Sequence, residues 1–327
     1  MPYGNLGLAD RIAVLAERVT VTAGGLKAET AGELYEADNP QALARRLGSV
    51  LYDTLHSGRA KPLDAKPRSL RNAALDAALD EATGERTTTS VGRLAAEAED
   101  HLVVQLEGLR VRVPHDRVIA RVDDGSGSDR VTVVMPCARP GLSSGFFLAN
   151  SSLPAPERRG PLLRLYGHLD TPSAAPEVWR RLVDFLEDSG VPWQAKIASS
   201  PVVYPRNDAL VVYLPRPSWR VARDCASALQ ATGLLAEGTS PFTRALTPSV
   251  GCAFEPDDPR RARQELSFGQ HRAQVFAEAL VRHATDAGDG SEPLADTVAT
   301  AFLDAGIDPA EPARNLSSPI TDVLRPS

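Results

Sequence analysis

The sequence predicts an α+β fold in which a helical N-terminal region precedes a mixed or antiparallel sheet core with flanking helices. Three observations carry this expectation. Apolar groups fall at helical spacing in the first hundred residues, the period changes to alternation at Leu102, and strands and helices interleave from Leu162 onward. A chain of 327 residues, 43% hydrophobic and 24% charged, can bury a core without disulfides or structural metal. The expected organisation is 1–100 as a mostly helical region suited to peptide or partner docking, 101–285 as the α+β core, and 286–327 as a C-terminal helix and tail.

The elements follow in order. Leu8 to Ala16 reads as a helix, and Asn39-Pro40 caps a second one carrying Ala42, Leu43, Leu47, Val50 and Leu51. Arg59 to Arg68, basic and Pro-containing, reads as an exposed linker. Leu102 to Leu106 and Leu109 to Val113 read as strands, and Arg121 to Val134 as two strands around a polar loop. Pro140 to Leu163 is a Pro-, Ser- and Gly-rich connection with one apolar patch, Phe146-Phe147-Leu148. Leu162 to Leu169 is a strand and Pro176 to Ser189 an amphipathic helix stopped by Gly190. Two strands follow, Trp193 to Ala198 and Asp208 to Leu214, then a helix from Pro217 to about Leu235. Pro241 to Arg263 looks irregular, Ser267-Phe268-Gly269 opens a helix, and a last helix near Pro293 to Ala305 precedes a polar tail from Ile307.

Composition excludes several classes. No apolar run reaches the roughly 18 residues of a membrane span, and Asp10-Arg11 interrupts what would be the core of a signal peptide, so a cytoplasmic protein is expected. Cys137, Cys225 and Cys252 are far apart and lack C-x-x-C pairing. The net charge of -6 argues against nucleic-acid or anionic-membrane partners. No P-loop, G-x-G-x-x-G, G-x-S-x-G or H-E-x-x-H motif is present, and neither a metal nor a cofactor is expected.

Lysine usage is the most informative irregularity. Of 36 basic residues only Lys27, Lys61, Lys66 and Lys196 are lysine, leaving 32 arginines. Where arginine is the usual cation, a lone lysine in Trp193-Gln194-Ala195-Lys196 points to a demand that guanidinium cannot meet: an amine can give up its proton and act as a base. Arg206 and Asp208 stand two apart at the start of an apolar strand, a spacing that suits an anion-gripping arginine held by a carboxylate. His168 ends a strand, where a general acid is well placed. Ser267-Phe268-Gly269-Gln270-His271-Arg272 sets His271 and Arg272 at a helix N-terminus, and Pro241-Phe242-Thr243-Arg244 adds a loop cation.

Together these motifs, Trp-x-x-Lys, Tyr-x-Arg-x-Asp, Pro-Phe-Thr-Arg and Ser-Phe-Gly-x-His-Arg, resemble in order the HopA-type family of type III secretion effectors over roughly residues 100 to 285. Members of that family also occur in gene clusters for ribosomally made peptides, including class V lanthipeptides and thioamidated peptides. There the family is taken to supply the lyase that follows a separate kinase. A second resemblance is to phosphothreonine lyases, which use a histidine acid, a lysine base and a phosphate-binding arginine. His168, Lys196 and Arg206 stand in that order, and Tyr166 occupies the place of a second lysine.

The resemblance implies a metal-independent lyase that eliminates phosphate from phosphoserine or phosphothreonine in a phosphorylated precursor peptide, with a separate kinase as partner. Lys196 is then the base and His168 or His271 the acid. Arg206, Arg272 and Arg244 form the phosphate clamp, with Asp208, Tyr213 and Tyr166 around them. The alternative is a non-catalytic peptide-binding partner of a kinase in the same pathway. A host-targeted effector is a third reading, less favoured because the Arg-, Ala- and Pro-rich composition does not look like that of a plant pathogen with injection machinery.

Overall fold

The computed structural model describes residues 7–60, 70–106, 108–123, 129–154, 160–286 and 292–324. It opens with helix α1 (Asp10–Glu17), followed by three short strands, β1 (Thr20–Val21), β2 (Lys27–Thr30) and β3 (Glu33–Glu36), which pair in order as a small antiparallel sheet. Helix α2 (Pro40–Leu51) starts where the Asn39 side chain accepts the Ala42 N–H at 2.9 Å, with Pro40 in the first turn. It buries Leu43, Leu47 and Leu51 and runs on into a π-helical turn, Tyr52–His56. Asn72 likewise caps α3 (Ala73–Thr83), which Gly84 ends at φ +70°.

Two larger sheets carry the rest, and every ladder in them is antiparallel. One is five-stranded, in the order β6-β5-β4-β8-β7, built from β4 (Thr87–Glu97), β5 (His101–Leu106), β6 (Leu109–Pro114), β7 (Val118–Asp123) and β8 (Asp129–Pro136). The other is seven-stranded. It comprises β9 (Ala138–Ser143), β10 (Phe146–Asn150), β11 (Leu163–Leu169), β12 (Gln194–Ala198), β13 (Arg206–Leu214), β14 (Arg244–Thr247) and β15 (Val250–Phe254). Their order is β14-β15-β11-β13-β12-β10-β9, so β11 and β13 are central and read as nearly continuous buried runs. Helices α4 (Ala175–Asp188) and α5 (Ala222–Ala231) complete this unit together with α6 (Phe268–Asp286) and α7 (Leu294–Asp304).

The α+β expectation holds, with instructive differences inside it. The first hundred residues also contain β1 to β3 and β4, and the four-residue strands KAET and ELYE show no apolar alternation to announce them. Pro140 to Leu163 holds most of β9 and all of β10, and Pro140 is tolerated because β9 is an edge strand. The stretch expected to be irregular contains the hairpin β14–β15, whose second strand is buried throughout and so lacks a period of two. The tail is packed rather than loose: Ile307 bridges to Asn315, the Ala313 carbonyl accepts the Phe254 N–H at 2.8 Å, and Leu324 is buried. Most of the expected linker, 61–68, and part of the polar loop at 124–128 lie outside the described residues.

Burial ties the N-terminal elements to the sheet. The main core contains Ile12, Leu43, Leu47 and Leu79 together with Phe147, Leu165, Trp179, Val212 and Phe276. A separate small core, Leu102, Val104, Val113, Val131, Val133 and Met135, belongs to the five-stranded sheet. Helix α2 lies against α6, which brings the π-helical turn over the central strands.

Candidate functional site

Strand register gathers the polar residues of the central sheet. Lys196 pairs with Val211 and Val211 with Tyr166, while Gln194 pairs with Tyr213 and Tyr213 with Arg164. Cross-strand partners share a face, as do residues two apart, so Lys196, Tyr213, Arg164 and Tyr166 lie on one face. From the neighbouring strand, the Phe146 ring meets both cations, with Lys196 Nζ 4.5 Å and Arg206 Cζ 5.2 Å from its centroid. Lys196 stays partly exposed, whereas Arg206 and Asp208 are buried.

Arg206 is held in a fixed orientation. Its Nε donates to Asp208 Oδ1 at 2.6 Å and its Nη2 to Oδ2 at 2.8 Å, a fork on a carboxylate. Nη2 also donates to the Tyr52 hydroxyl at 3.0 Å, which in turn donates to Asp208 Oδ2 at 3.4 Å. Burial opposes ionisation of both groups, yet the Arg206 charge holds the Asp208 carboxyl well below the usual carboxylate range and Asp208 holds the guanidinium well above its own. The pair is therefore ionised. Arg59 is close enough for the Arg206 charge to add to burial in lowering its pKa, and it anchors on Asp53 at 3.2 Å and the Val203 carbonyl at 3.1 Å.

The π-helical turn delivers Tyr52 and His56, four residues apart, with stacked rings 5.7 Å between centroids. His56 is fully enclosed. Its Nδ1 is 3.0 Å from Ser240 Oγ, and its Nε2 is 3.7 Å from Asp208 Oδ2, too long for a hydrogen bond. Burial lowers its pKa to about 4 against the pull of Asp208, so the ring is neutral near pH 7. Two glycines make room for this turn. A Cβ on Gly269 would lie 2.0 Å from His56 Cδ2, and one on Gly58, at φ +73°, would lie 2.6 Å from the Asn207 amide nitrogen. The glycine of the Ser-Phe-Gly motif thus admits the His56 ring.

The other residues singled out from sequence divide into groups. Tyr213 is half-buried under the Arg164 guanidinium, 4.9 Å from ring centroid to Cζ, and Arg164 pairs with Glu255. Tyr166 is buried with its ring 5.3 Å from His56 and 5.8 Å from Phe268. His168 lies two residues beyond Tyr166, where strands about 4.8 Å apart and a rise of about 3.4 Å per residue put its Cα roughly 12 Å from that of Lys196. Its Nδ1 donates to the Glu237 carbonyl at 2.8 Å, and its Nε2 is 3.2 Å from Asp170.

His271 and Arg272 are not brought into this cluster. Both are fully buried in a second network: His271 Nε2 meets Asp258 at 2.8 Å, and His271 Nδ1 accepts from Arg272 Nη1 at 2.8 Å. Arg272 further donates to the Pro312 carbonyl at 2.9 Å, the Arg314 carbonyl at 3.2 Å and Asn315 Oδ1 at 2.7 Å. Burial lowers the pKa of Arg272 to about 9; burial and the Arg272 charge lower that of His271 to about 4. The link to the first cluster is Phe268, whose ring lies 4.8 Å from Arg272 Cζ. Arg244 stands on the edge strand β14, 3.6 Å from Glu311.

Tyr52, His56, Arg59 and Arg164 were missed by the motif reading. Tyr-x-x-x-His at the end of an apolar helix, just before Ser57-Gly58, is the one signal that pointed to the first two. Among the described residues, no three His, Cys, Asp or Glu side chains are grouped as a metal set, and no helix is long and apolar enough to cross a membrane.

Residues 137–314, which hold every strand of the seven-stranded sheet and most of both polar networks, match the family model of the HopA1 effector protein family. That is more than half of the chain. The chain belongs to the HopA1 effector protein family. Two solved structures are similar to it. One, the effector protein from Pseudomonas syringae pv. tomato strain DC3000, has 18% identity and a TM-score of 0.40, covering 52% of this chain and 62% of that one. The other, the effector protein from Pseudomonas syringae pv. syringae strain 61, has 14% identity and a TM-score of 0.44, covering 84% of this chain and 94% of that one. This chain thus spans less than two thirds of the first effector's length. No curated protein matches it.

Proposed function

We propose that this HopA1-family protein is a phosphoserine/phosphothreonine lyase acting on a phosphorylated precursor peptide in lanthipeptide-type biosynthesis, after a separate kinase. The observation that carries the reading is a partly exposed lysine amine sharing the Phe146 ring with an ionised, rigidly held Arg206–Asp208 pair. Lys196 takes the Cα proton of the phosphorylated residue. The C–H electron pair becomes the Cα=Cβ bond, the Cβ–O bond breaks, and its electrons leave with the phosphate, which is protonated by an acid.

Arg206, fixed by Asp208 and Tyr52, steadies the departing phosphate; Arg164, braced on Tyr213 and Glu255, is a second cation on the same face. His168 is the acid this reading favours, because it lies partly exposed at a strand end while His271 is fully buried. We assign Arg272 and His271 to building the wall behind Phe268 and Tyr166, and Arg244 to the sheet edge. The site so described uses Tyr52 and His56 from the N-terminal region, which favours catalysis over docking alone as the role of that region.

The test is incubation with a chemically prephosphorylated Ser/Thr peptide. Release of inorganic phosphate with a dehydrated peptide by mass spectrometry is expected. Unchanged phosphopeptide, together with stimulation of an added kinase, would establish the non-catalytic partner instead.

A further inference from the structure

The five-stranded sheet presents an outer face that the site above does not use. Register defines it. Val104, Val131 and Val133 point into the small core, so their immediate neighbours in the strands point outward. Arg110 pairs with Gln105, Gln105 with Arg93, Arg93 with Arg130 and Arg130 with Val122, one row across all five strands. Arg112 stands two residues beyond Arg110 on the same face. All four arginines are exposed, and Val91 and Val122 beside them are 55% and 54% exposed.

Among the described residues this charge is left without an ion-pair partner. Arg93, Arg110 and Arg130 make no ion pair or side-chain hydrogen bond among the described residues, and Arg112 reaches only the field of Asp100 in the adjoining turn. The nearby pair Arg121–Glu97 sits on the opposite face. Like charges directly opposite in a ladder are destabilising, and Arg93 faces Arg130. A row that costs stability in the free protein gains it back when an anion lies across it.

We propose that this face docks an acidic polypeptide segment with apolar residues between its carboxylates. Strand spacing sets neighbouring arginines about 5 to 10 Å apart and the ends of the row about 14 Å apart, within reach of carboxylates on one short segment. The exposed valines suit apolar side chains. Nucleic acid is a poorer fit, because no Phe, Tyr or Trp occurs from 87 to 136 to stack a base and the chain carries a net charge of -6. The surface is distinct from the Lys196 face and does not depend on the elimination reading.

The test is fluorescence anisotropy with the full chain and a labelled peptide of alternating Glu and Leu, beside a Gln/Leu peptide, a single-stranded RNA oligonucleotide and phosphatidylserine vesicles. The Glu peptide is expected to bind in a salt-sensitive way. The R93Q/R130Q double variant should weaken that binding about tenfold or more with an unchanged or raised melting temperature, while Lys196→Ala binds as the parent does. Equal binding of the Glu and Gln peptides, equal binding by the double variant, or tighter binding of RNA or vesicles would overturn the proposal.

Discussion

Two buried arginines lie at opposite ends of a run of rings, Tyr52, His56, Tyr166 and Phe268, and they are held in contrasting ways. Arg206 forks onto a carboxylate, and its charge is reinforced by that carboxylate. Arg272 is satisfied by carbonyls, an amide oxygen and a neutral histidine, and burial lowers its pKa to about 9. The first arrangement fixes a full positive charge beside a partly exposed lysine. The second ties α6 to the chain at Pro312 to Asn315 without offering a donor to the outside. Under the elimination proposed above, hydrogen-bond satisfaction alone would not tell the phosphate-steadying arginine from the bracing one; the identity of its acceptors and the exposure of its neighbours would.

The largest expected effect lies on the exposed side of the comparison. Lys196→Ala should lower elimination by about a thousandfold, roughly 4 kcal/mol in barrier, and leave the melting temperature near that of the parent. Lys196→Arg should not restore it, since a guanidinium stays protonated. Equal turnover by either variant in a single-turnover assay would remove Lys196 from the chemistry. The two carboxylates come next. Asp208→Ala strands the Arg206 charge in a buried site and should cost about 3–5 kcal/mol in denaturant unfolding. Asp258→Ala leaves a neutral His271 short of one partner and should cost about 1–3 kcal/mol. Equal losses would mean that the two networks are electrostatically alike.

Acid titration sharpens the contrast further. His56 and His271 each have a folded pKa of about 4, below the usual value near 6.5, so the unfolded chain binds more protons between those values. Their contribution is complete above about pH 6.5 and is lost as the pH falls toward 4, by roughly 3 kcal/mol for each ring. Asp208, depressed instead, contributes fully above its unfolded value near 4 and loses that contribution only below it. Stability measured from pH 8 to 4 should therefore be flat and then fall, and His56→Gln should remove about half of the decline. A decline that begins only below pH 4 would assign it to carboxylates.

Sequence pattern exposed what is carried by periodicity and by rarity. The Asn39 cap, the alternating strands at Leu102 to Val113 and the amphipathic helix ending at Gly190 were legible because each buries one face. Lys196 was legible because arginine dominates the chain, and Arg206 with Asp208 because strand spacing aims them together. Strands β14 and β15 and the N-terminal hairpins were not: β15 is buried throughout, and β2, β3 and β14, at four residues each, are too short to display a period of two. His56 was hidden for a different reason. Its partners Asp208, Ser240 and Gly269 are between 152 and 213 residues away, and only the α2–α6 packing brings them together.

The smallest effect tests that packing directly. Gly269→Ala would add helix propensity at the start of α6, worth up to about 1 kcal/mol in an unconstrained helix. Here the new methyl meets the His56 ring at 2.0 Å, and that ring is enclosed by Tyr52, Tyr166, Phe268 and Ser240. Overpacking should outweigh propensity, for a net loss of about 1–3 kcal/mol. In the double variant Gly269→Ala/His56→Ala the ring is gone and the methyl has space, so the loss from Gly269→Ala should vanish or reverse. A coupling of at least about 1 kcal/mol in that cycle is the signature of direct contact; additive losses would separate Gly269 from His56 and leave the glycine of the Ser-Phe-Gly motif without its physical reason.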